Sequence, residues 1–307
     1  MSRTGQPVDK KSALRIRARL IQAVRSFFSL QGYLEVETPL RIPAPLPEVH
    51  IDAIPSGDWF LQTSPEVCMK RLLGAGYDRI FQIAKCFRAG ERGSLHLPEF
   101  TMLEWYRLDA DYTRLMEECE DLVLFIADEL DYGEAIPWRG GTISLAKPWT
   151  RLSLREAFLR YAAISVEEAM ARDLFEETLV SSLEPHLGRE KPAILYDYPL
   201  ALGALAKAKG DDPSLVERFE LYLGGLEIAN AFSELTDVEE QRRRFDRENH
   251  YRKLQGKKVY PPAEPFLQSL GRIKSAAGIA LGIDRLVMLF ADVETIDQVV
   301  AFTPEEL

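Results

Sequence analysis

The sequence contains 307 residues, which is enough for one large domain or two small ones. Its apolar fraction of 46% and charged fraction of 28% are typical of a globular protein, and no apolar run approaches the roughly 20 residues that cross a bilayer. The formal net charge of -10 disfavours the large basic surface with which proteins bind a polyanion such as tRNA.

The N-terminal segment from Met1 to Arg19 is polar and basic and lacks the apolar stretch of a signal peptide, which predicts a cytoplasmic protein. The 3 cysteines show no C-x-x-C spacing, so we interpret them as reduced thiols. Because no H-E-x-x-H pattern occurs, a transition-metal centre is disfavoured. Any metal is expected to be a hard cation held by carboxylates.

Hydrophobic spacing and turn residues divide the chain into helices and strands. Helices are predicted over residues 12–31, 65–74, 113–130 and 237–254, and extended segments over residues 33–40, 79–88, 100–108, 193–198, 217–223 and 226–231. Residues 150–190 are predicted to be mainly helical, and residues 277–290 to form a strand followed by a helix. The pattern indicates an α+β fold whose mostly antiparallel sheet is flanked by helices. Because no linker interrupts it, we predict one domain over residues 1–307, with the helical region at about 150–190 as an insertion.

Two adjacent predicted strands, joined by a polar loop, carry the first candidate site. The two strands and their loop carry a set of charged, phenolic or aromatic side chains, namely Arg88, Glu91, His96, Phe100, Glu104 and Tyr106. Period-two alternation places Phe100, Glu104 and Tyr106 on one face of the second strand. A carboxylate, a phenol and an aromatic ring beside an arginine suit an amine, an amide edge and a flat base. The alternative is an amphipathic hairpin whose polar face is in water.

The second candidate site is a hairpin, predicted because Gly224-Gly225 separates two apolar-rich runs. This turn pairs Tyr222 with Glu227 and places Glu220 on the same face as Glu227, as a diagonal neighbour. Two carboxylates so placed repel each other unless a cation lies between them, and Mg²⁺ bound to ATP phosphates is the natural bridge. The alternative is a pair of solvated glutamates on an exposed face.

The third candidate is the segment from Gly278 to Leu286, in which small residues at the end of a strand precede a helix. Small residues allow a backbone to approach a nucleotide closely. Arg285 lies in the first turn of the predicted helix, and a helix N-terminus with an arginine favours a phosphate. The alternative is a set of packing glycines followed by a surface arginine.

These motifs resemble those of class II aminoacyl-tRNA synthetases, specifically the lysyl type. The string Phe-Arg-x(11)-Phe-Thr-Met-Leu-Glu-Trp-Tyr, which ends at Tyr106, resembles motif 2, and Gly278 to Leu286 resembles motif 3. Residues 26–40 resemble motif 1, which forms the dimer interface, and the segment from Thr63 to Glu66, together with Met69-Lys70-Arg71, resembles the substrate-binding loop. The resemblance covers about residues 12–305 and implies the class II catalytic core.

The resemblance also implies a role for each matching position. In that family the arginine at Arg88 bridges the α-phosphate and the amino-acid carboxylate, and the one at Arg285 holds the γ-phosphate, so both are expected to be catalytic. The implied ATP-binding residues are Arg88, Glu91, His96, Phe100, Glu227, Ile228, Gly282 and Arg285. The implied residues for a lysine-like amino acid are Ser64, Glu66, Glu104, Tyr106, Asn230, Glu234 and Ala280. The implied metal ligands, for Mg²⁺, are Glu220 and Glu227.

Two features distinguish branches of this family. Lysyl-tRNA synthetases carry an N-terminal anticodon-binding domain, whereas the motif 1 helix here begins almost at Met1, so no tRNA anticodon binding is expected. Ala280 stands where the synthetases usually have glycine. Both features resemble the elongation factor P lysine ligase family, which implies ATP-dependent transfer of lysine or (R)-β-lysine to a lysine of that factor by a homodimer. The alternatives are a truncated synthetase-like enzyme acting on tRNA or a small amine, and a non-catalytic regulatory paralogue.

Overall fold

The computed structural model describes residues 9–307, so the start of the predicted basic segment and of the predicted domain lies outside the described residues. The α-helices are α1 Lys10–Leu30, α2 Glu66–Gly74, α3 Tyr112–Glu129, α4 Leu154–Tyr161, α5 Val166–Ala171, α6 Phe175–Thr178, α7 Val238–Leu254, α8 Glu264–Leu270 and α9 Ile283–Ala291. The strands are β1 Leu34–Glu35, β2 Arg41–Ile42, β3 Pro55–Ser56, β4 Trp59–Leu61, β5 Arg79–Phe87, β6 Glu99–Leu108, β7 Ala135–Trp138, β8 Gly141–Ser144, β9 Thr150–Ser153, β10 Ala193–Pro199, β11 Leu215–Leu223, β12 Leu226–Ser233 and β13 Ala276–Gly282. Among these helices, none is long and apolar enough to cross a membrane.

An 8-stranded sheet organises the fold, in the order β1-β5-β6-β13-β12-β11-β10-β9. Its two edge strands, β1 and β9, pair in parallel with their neighbours, and all other pairs in the sheet are antiparallel. The predicted α+β class with a mostly antiparallel sheet is therefore confirmed. Each predicted helix forms within about two residues of its predicted bounds, and so does each predicted strand except the segment 33–40, in which only Leu34–Glu35 pairs as a strand.

One face of the sheet is covered by helices α1, α3 and α9. Leu103 and Trp105 of β6 and Ile279 of β13 are almost wholly buried against the apolar sides of these helices. The Asp9 carboxylate accepts a hydrogen bond from Ser12 N at 2.7 Å and so begins α1. Gly32, with φ +73°, follows the helix in the left-handed conformation that glycine adopts without a steric cost.

The opposite face of the sheet is covered only in part, by α2, α7 and α8 at one end and by the 150–190 region at the other. In that region α4, α5 and α6 form as predicted, but residues 150–153 form β9, which adds a strand to the sheet edge. The small β2-β4-β3 sheet, the β7-β8 hairpin and α8 were not predicted from the sequence. The uncovered middle of this face is where the candidate site lies.

The β11-β12 hairpin forms around Gly224 and Gly225, whose φ angles are +62° and +79°. Tyr222 pairs with Glu227 as predicted, but Leu221 then pairs with Ala229, so that β12 contains a bulge at Ile228. A strictly regular register would instead have placed Ala229 opposite Glu220. The bulge shifts the later residues of β12 by one position, which places Asn230 opposite Glu220.

Candidate active site

A row of paired residues crosses the uncovered face of the sheet. Glu220 pairs with Asn230, Asn230 with Ala280, and Ala280 with Glu104. Because directly paired residues point to the same face, these side chains from β11, β12, β13 and β6 form one continuous floor. The β12 bulge is necessary for this floor, because strict alternation would place Asn230 on the opposite face from Glu227.

A cavity of about 860 Å³ lies above this floor. Its walls include most of the predicted site residues, namely Arg88, Glu91, His96, Phe100, Glu220, Glu227, Ile228, Asn230, Ala280, Gly282 and Arg285. Asp173, Phe175, Glu176 and Leu179 from the 150–190 region complete one wall. The other predicted residues, Ser64, Glu66, Glu104, Tyr106 and Glu234, do not line this cavity, and the last four are buried beside it, where Glu104 continues the floor next to Ala280.

The arginines make one end of the cavity suited to anions. Arg88 Nε is buried and has no hydrogen-bond partner among the described residues, and the Arg88 guanidinium lies 5.0 Å from the centroid of the Phe100 ring. Arg285 Nη1 donates to the Glu227 carbonyl at 2.7 Å, and Arg285 Nη2 lies 2.7 Å from His96 Nε2. A buried donor without a partner costs free energy, so an acceptor on a ligand would stabilise Arg88.

The protonation state of His96 follows from its neighbours. Partial desolvation and the Arg285 guanidinium lower the pKa of His96. A neutral imidazole can accept a hydrogen bond from Arg285 through Nε2, which fits their separation. Asp284 holds the start of α9 in place, because its carboxylate accepts from Thr101 N at 2.6 Å and from Arg17 Nη1 at 2.5 Å.

Glu220 and Glu227 are the acidic pair of the cavity. Glu220 accepts from the Tyr198 hydroxyl at 2.6 Å, the Tyr222 hydroxyl at 2.7 Å and Arg218 Nη2 at 2.6 Å, so its orientation is held. Burial and the neighbouring Glu220 raise the pKa of Glu227 to about 7. A cation between the two carboxylates would relieve this repulsion.

The buried residues beside the cavity form an ionic cluster around Lys70. The Lys70 ammonium pairs with Glu66 and, at 2.5 Å, with Glu234 Oε2. The Tyr106 hydroxyl donates to Glu104 Oε2 at 2.8 Å. Burial and the nearby Glu66 raise the pKa of Glu104 to about 8. Burial opposes the charge on Lys70, but Glu234 and Glu66 outweigh it and raise its pKa.

Charge counting in this cluster indicates what it can bind. Glu66, Glu104 and Glu234 supply three carboxylates, of which Lys70 neutralises one. A buried carboxyl group without a cationic partner takes up a proton, as the raised pKa of Glu104 indicates, and a ligand that brings positive charge favours its ionised form. Gly278 packs against this cluster, and a Cβ atom there would lie closer than 3.0 Å to Tyr106 Cε1 and Glu234 Oε1.

Sequence reasoning missed several side chains that shape the site. The sequence did contain a signal for Arg218 and Tyr222. Each lies two residues from Glu220 along β11, so alternation places their side chains on the same face of the strand. Lys70 was recognised only as part of the segment that resembles the substrate-binding loop, although it follows Glu66 by one helical turn in α2, the spacing of an ion pair. Tyr198 comes from the neighbouring strand β10, and no local pattern in the sequence links it to Glu220.

Comparison with known proteins agrees with this geometry. The family of class II tRNA synthetases (D, K and N) matches residues 7–306. An elongation factor P–(R)-β-lysine ligase of Proteus mirabilis is 39% identical over 97% of this chain and 96% of the relative. Ligases of the same name from Pectobacterium carotovorum and Salmonella gallinarum are 38% and 37% identical, each over 98% of this chain and 97% of the relative. The chain therefore belongs to the class II (D, K and N) tRNA synthetase family and groups within it with the elongation factor P–(R)-β-lysine ligases.

Proposed function

We propose that this chain uses ATP to activate lysine or (R)-β-lysine as an acyl-adenylate and transfers the acyl group to a lysine side chain of elongation factor P. The observation that carries the proposal is the placement of a buried acidic cluster beside a cavity that holds Arg88 and Arg285, on the same face of the sheet. Such a site can bind the amines of a diamino acid and the phosphates of ATP at the same time. The names of the relatives supply the acceptor protein.

The amino-acid end follows from charge. Both ammonium groups of a diamino acid can be matched by the carboxylates that Lys70 leaves unpaired among Glu66, Glu104 and Glu234. We assign Ser64 and Tyr106 to hold Glu104, since the Tyr106 hydroxyl donates to it and the Ser64 side chain also hydrogen-bonds to it. A single ammonium would leave one buried carboxylate without a partner, which disfavours amino acids with apolar side chains.

The nucleotide end uses the arginines and one aromatic ring. The Phe100 ring is proposed to stack on adenine, with Ile228 and Gly282 as the surrounding wall. Arg88 is assigned to the α-phosphate and the substrate carboxylate, Arg285 to the γ-phosphate, and His96 and Glu91 to the edge of the nucleotide site. An arginine paired with phosphate oxygens makes strong charge-assisted hydrogen bonds.

In the activation step the substrate carboxylate attacks the α-phosphorus of ATP in line, and pyrophosphate departs. The carboxylate is ionised near neutral pH, so this step needs no base, and positioning with electrostatic stabilisation accounts for the catalysis. Arg88 stabilises the charge that develops on the α-phosphate, and its unpaired Nε donor is available for that contact. Asn230 lies between Glu220 and Ala280 and is assigned to orient the carboxylate end.

Mg²⁺ fits the acidic pair. Magnesium prefers oxygen ligands and is usually held by one or two carboxylates together with substrate phosphates and water. Glu220 and Glu227 meet that description, and within residues 9–307 no group of three or more His, Cys, Asp or Glu side chains forms a metal cage. When bound, Mg²⁺ would neutralise phosphate charge.

We also propose a homodimer formed through the motif 1 region. Three leucines at the end of α1 and in the segment after it are exposed, namely Leu30 at 75%, Leu34 at 50% and Leu40 at 42%. Exposed apolar side chains grouped in this way are typical of a surface that a partner covers. We further propose that residues 9–307 act as one catalytic domain, without anticodon binding, in the cytoplasm, where a translation factor is available.

The proposal is tested in two steps. Pyrophosphate release from ATP is first measured with lysine and with (R)-β-lysine separately. Elongation factor P is then incubated with the enzyme, and its mass is measured by mass spectrometry. Activation together with a mass gain equal to the acyl group on the factor is the expected result. Activation with acyl transfer to tRNA, and none to the factor, would overturn the proposed acceptor.

A further inference from the structure

A carboxylate outside the motifs faces the cavity without a partner. Glu48 follows Pro47 in the irregular segment between β2 and β3, and its side chain lines the same cavity as Arg88 and Ala280. Within residues 9–307, the Glu48 carboxylate makes no hydrogen bond and no ion pair. The activation step described above leaves this side chain unused.

The backbone around Glu48 is nonetheless held firmly by helix α7. The buried Arg252 donates through Nη1 to the Glu48 carbonyl at 2.6 Å and to the Ile51 carbonyl at 2.9 Å. Glu248 accepts from Val49 N at 3.2 Å. A side chain that is free of contacts on a fixed backbone is well placed to contact a reactant.

This side of the cavity is open to solvent. His50, Tyr251 and Gln255 line the cavity beside Glu48 and are themselves exposed to solvent. A long, flexible lysine side chain of an acceptor protein could therefore enter the cavity past these residues, beside Glu48.

Charged groups from four elements face Glu48. Glu66 of α2 and Glu248 of α7 repel its negative charge, whereas Arg88 after β5 and Arg218 of β11 attract it. Burial and Glu66 together outweigh the arginines and raise the pKa of Glu48 to about 7. Glu48 can therefore gain and lose a proton near neutral pH, which is the property of an efficient general base.

We infer that Glu48 is the general base of the acyl-transfer step, a role that rests on the proposed function. The Glu48 carboxylate takes a proton from the ε-ammonium of the acceptor lysine, and the freed lone pair attacks the carbonyl carbon of the adenylate. A C–N bond forms, the C–O bond to AMP breaks, and its electron pair remains on the AMP phosphate. That phosphate takes the second proton of the nitrogen, which completes the amide.

The test compares the two half-reactions in Glu48→Gln. Pyrophosphate exchange with ATP and the amino acid should stay close to that of the unchanged enzyme, because activation needs no base. Transfer to elongation factor P at pH 7 should fall by about 10²- to 10⁴-fold, the usual contribution of a general base. In the unchanged enzyme, single-turnover transfer should rise with pH through about 7, and the variant should lose that inflection.

Hydroxylamine provides the matched chemical control, because this nucleophile is already unprotonated at neutral pH and needs no base. Glu48→Gln should form the hydroxamate at the same rate as the unchanged enzyme, which also shows that the variant is folded. Glu248→Gln removes a like charge that faces Glu48 but keeps an acceptor for Val49 N. It should move the inflection to lower pH without lowering the plateau.

Three outcomes would overturn the inference. They are normal transfer by Glu48→Gln, an equal loss of exchange or hydroxamate formation in that variant, and an inflection that Glu248→Gln leaves unmoved. The second outcome would make Glu48 a substrate-binding residue instead. If the unchanged enzyme forms hydroxamate but acylates no elongation factor P, the proposed function itself fails, and the assigned role fails with it.

Discussion

Replacing Gly278 with alanine tests the packing of the acidic cluster. The added Cβ would lie closer than 3.0 Å to Tyr106 Cε1 and to Glu234 Oε1. A shift of either side chain costs free energy, because the Tyr106 hydroxyl is hydrogen-bonded to Glu104 and Glu234 forms an ion pair with Lys70. Overpacking of this kind costs about 1–3 kcal/mol, which corresponds to a rise of about 5- to 150-fold in KM where it falls on substrate binding.

The assay is ATP–pyrophosphate exchange at varied amino-acid and varied ATP concentrations, with thermal unfolding measured in parallel. Gly278→Ala should raise the KM for the amino acid and lower the Tm, while the KM for ATP stays nearly unchanged. Gly282→Ala is the matched control on the same strand, since its Cβ would meet no atom closer than 3.9 Å. Equal behaviour of the two variants would refute the reasoning, because it would show that the cluster tolerates the added atom.

Three further predictions concern charge, pH and assembly. Glu234→Gln should raise the KM for the diamino acid by about 100-fold or more and leave the KM for ATP unchanged, since it removes a buried charge partner. An unaltered amino-acid KM in the exchange assay would contradict this role. Glu104 has a pKa of about 8 in the folded protein against an ordinary 4.5, so the folded state binds the extra proton. The free energy of unfolding of the ligand-free protein should therefore fall as pH rises from about 5 to about 8, and Glu104→Gln should flatten this fall in denaturant titrations. A slope that is the same in the variant would assign the effect to another group. Leu34→Asp should produce monomers in sedimentation velocity if the exposed leucines form the dimer contact, whereas a variant that sediments like the parent protein would exclude that surface.

Local patterns predicted the regular elements well. The apolar spacing of α1 and the alternation along β6 are local properties of the chain, and both are confirmed. Phe100 lines the cavity, and the Glu104 and Tyr106 side chains point to the same face of β6 and contact each other, as the alternation predicts. Short elements such as β2 and α8 were missed, because a few residues carry too little periodicity to be recognised.

The site was predicted in part, and for an identifiable reason. Strict alternation assigns Glu227 and Asn230 to opposite faces of β12. The family resemblance, however, implies that both side chains belong to one site and therefore point to the same face. The bulge at Ile228 resolves this conflict, and it arises from pairing with β11 and β13 rather than from any local preference of the sequence. In β12, one extra residue relative to β11 determines which side chains point into the site.

The sequence by itself determined the order of helices and strands, the family and the residues of the three motifs, because each of these depends on short-range spacing. Only the tertiary structure decided which distant groups meet. Lys70 of α2 pairs with Glu234 of the region after β12, and Glu48 and Arg88 line the same cavity, although each pair is far apart along the chain. The pKa values of Glu48 and Lys70 depend on burial and on neighbouring charges, and these exist only once the sheet, α2 and α7 have packed together.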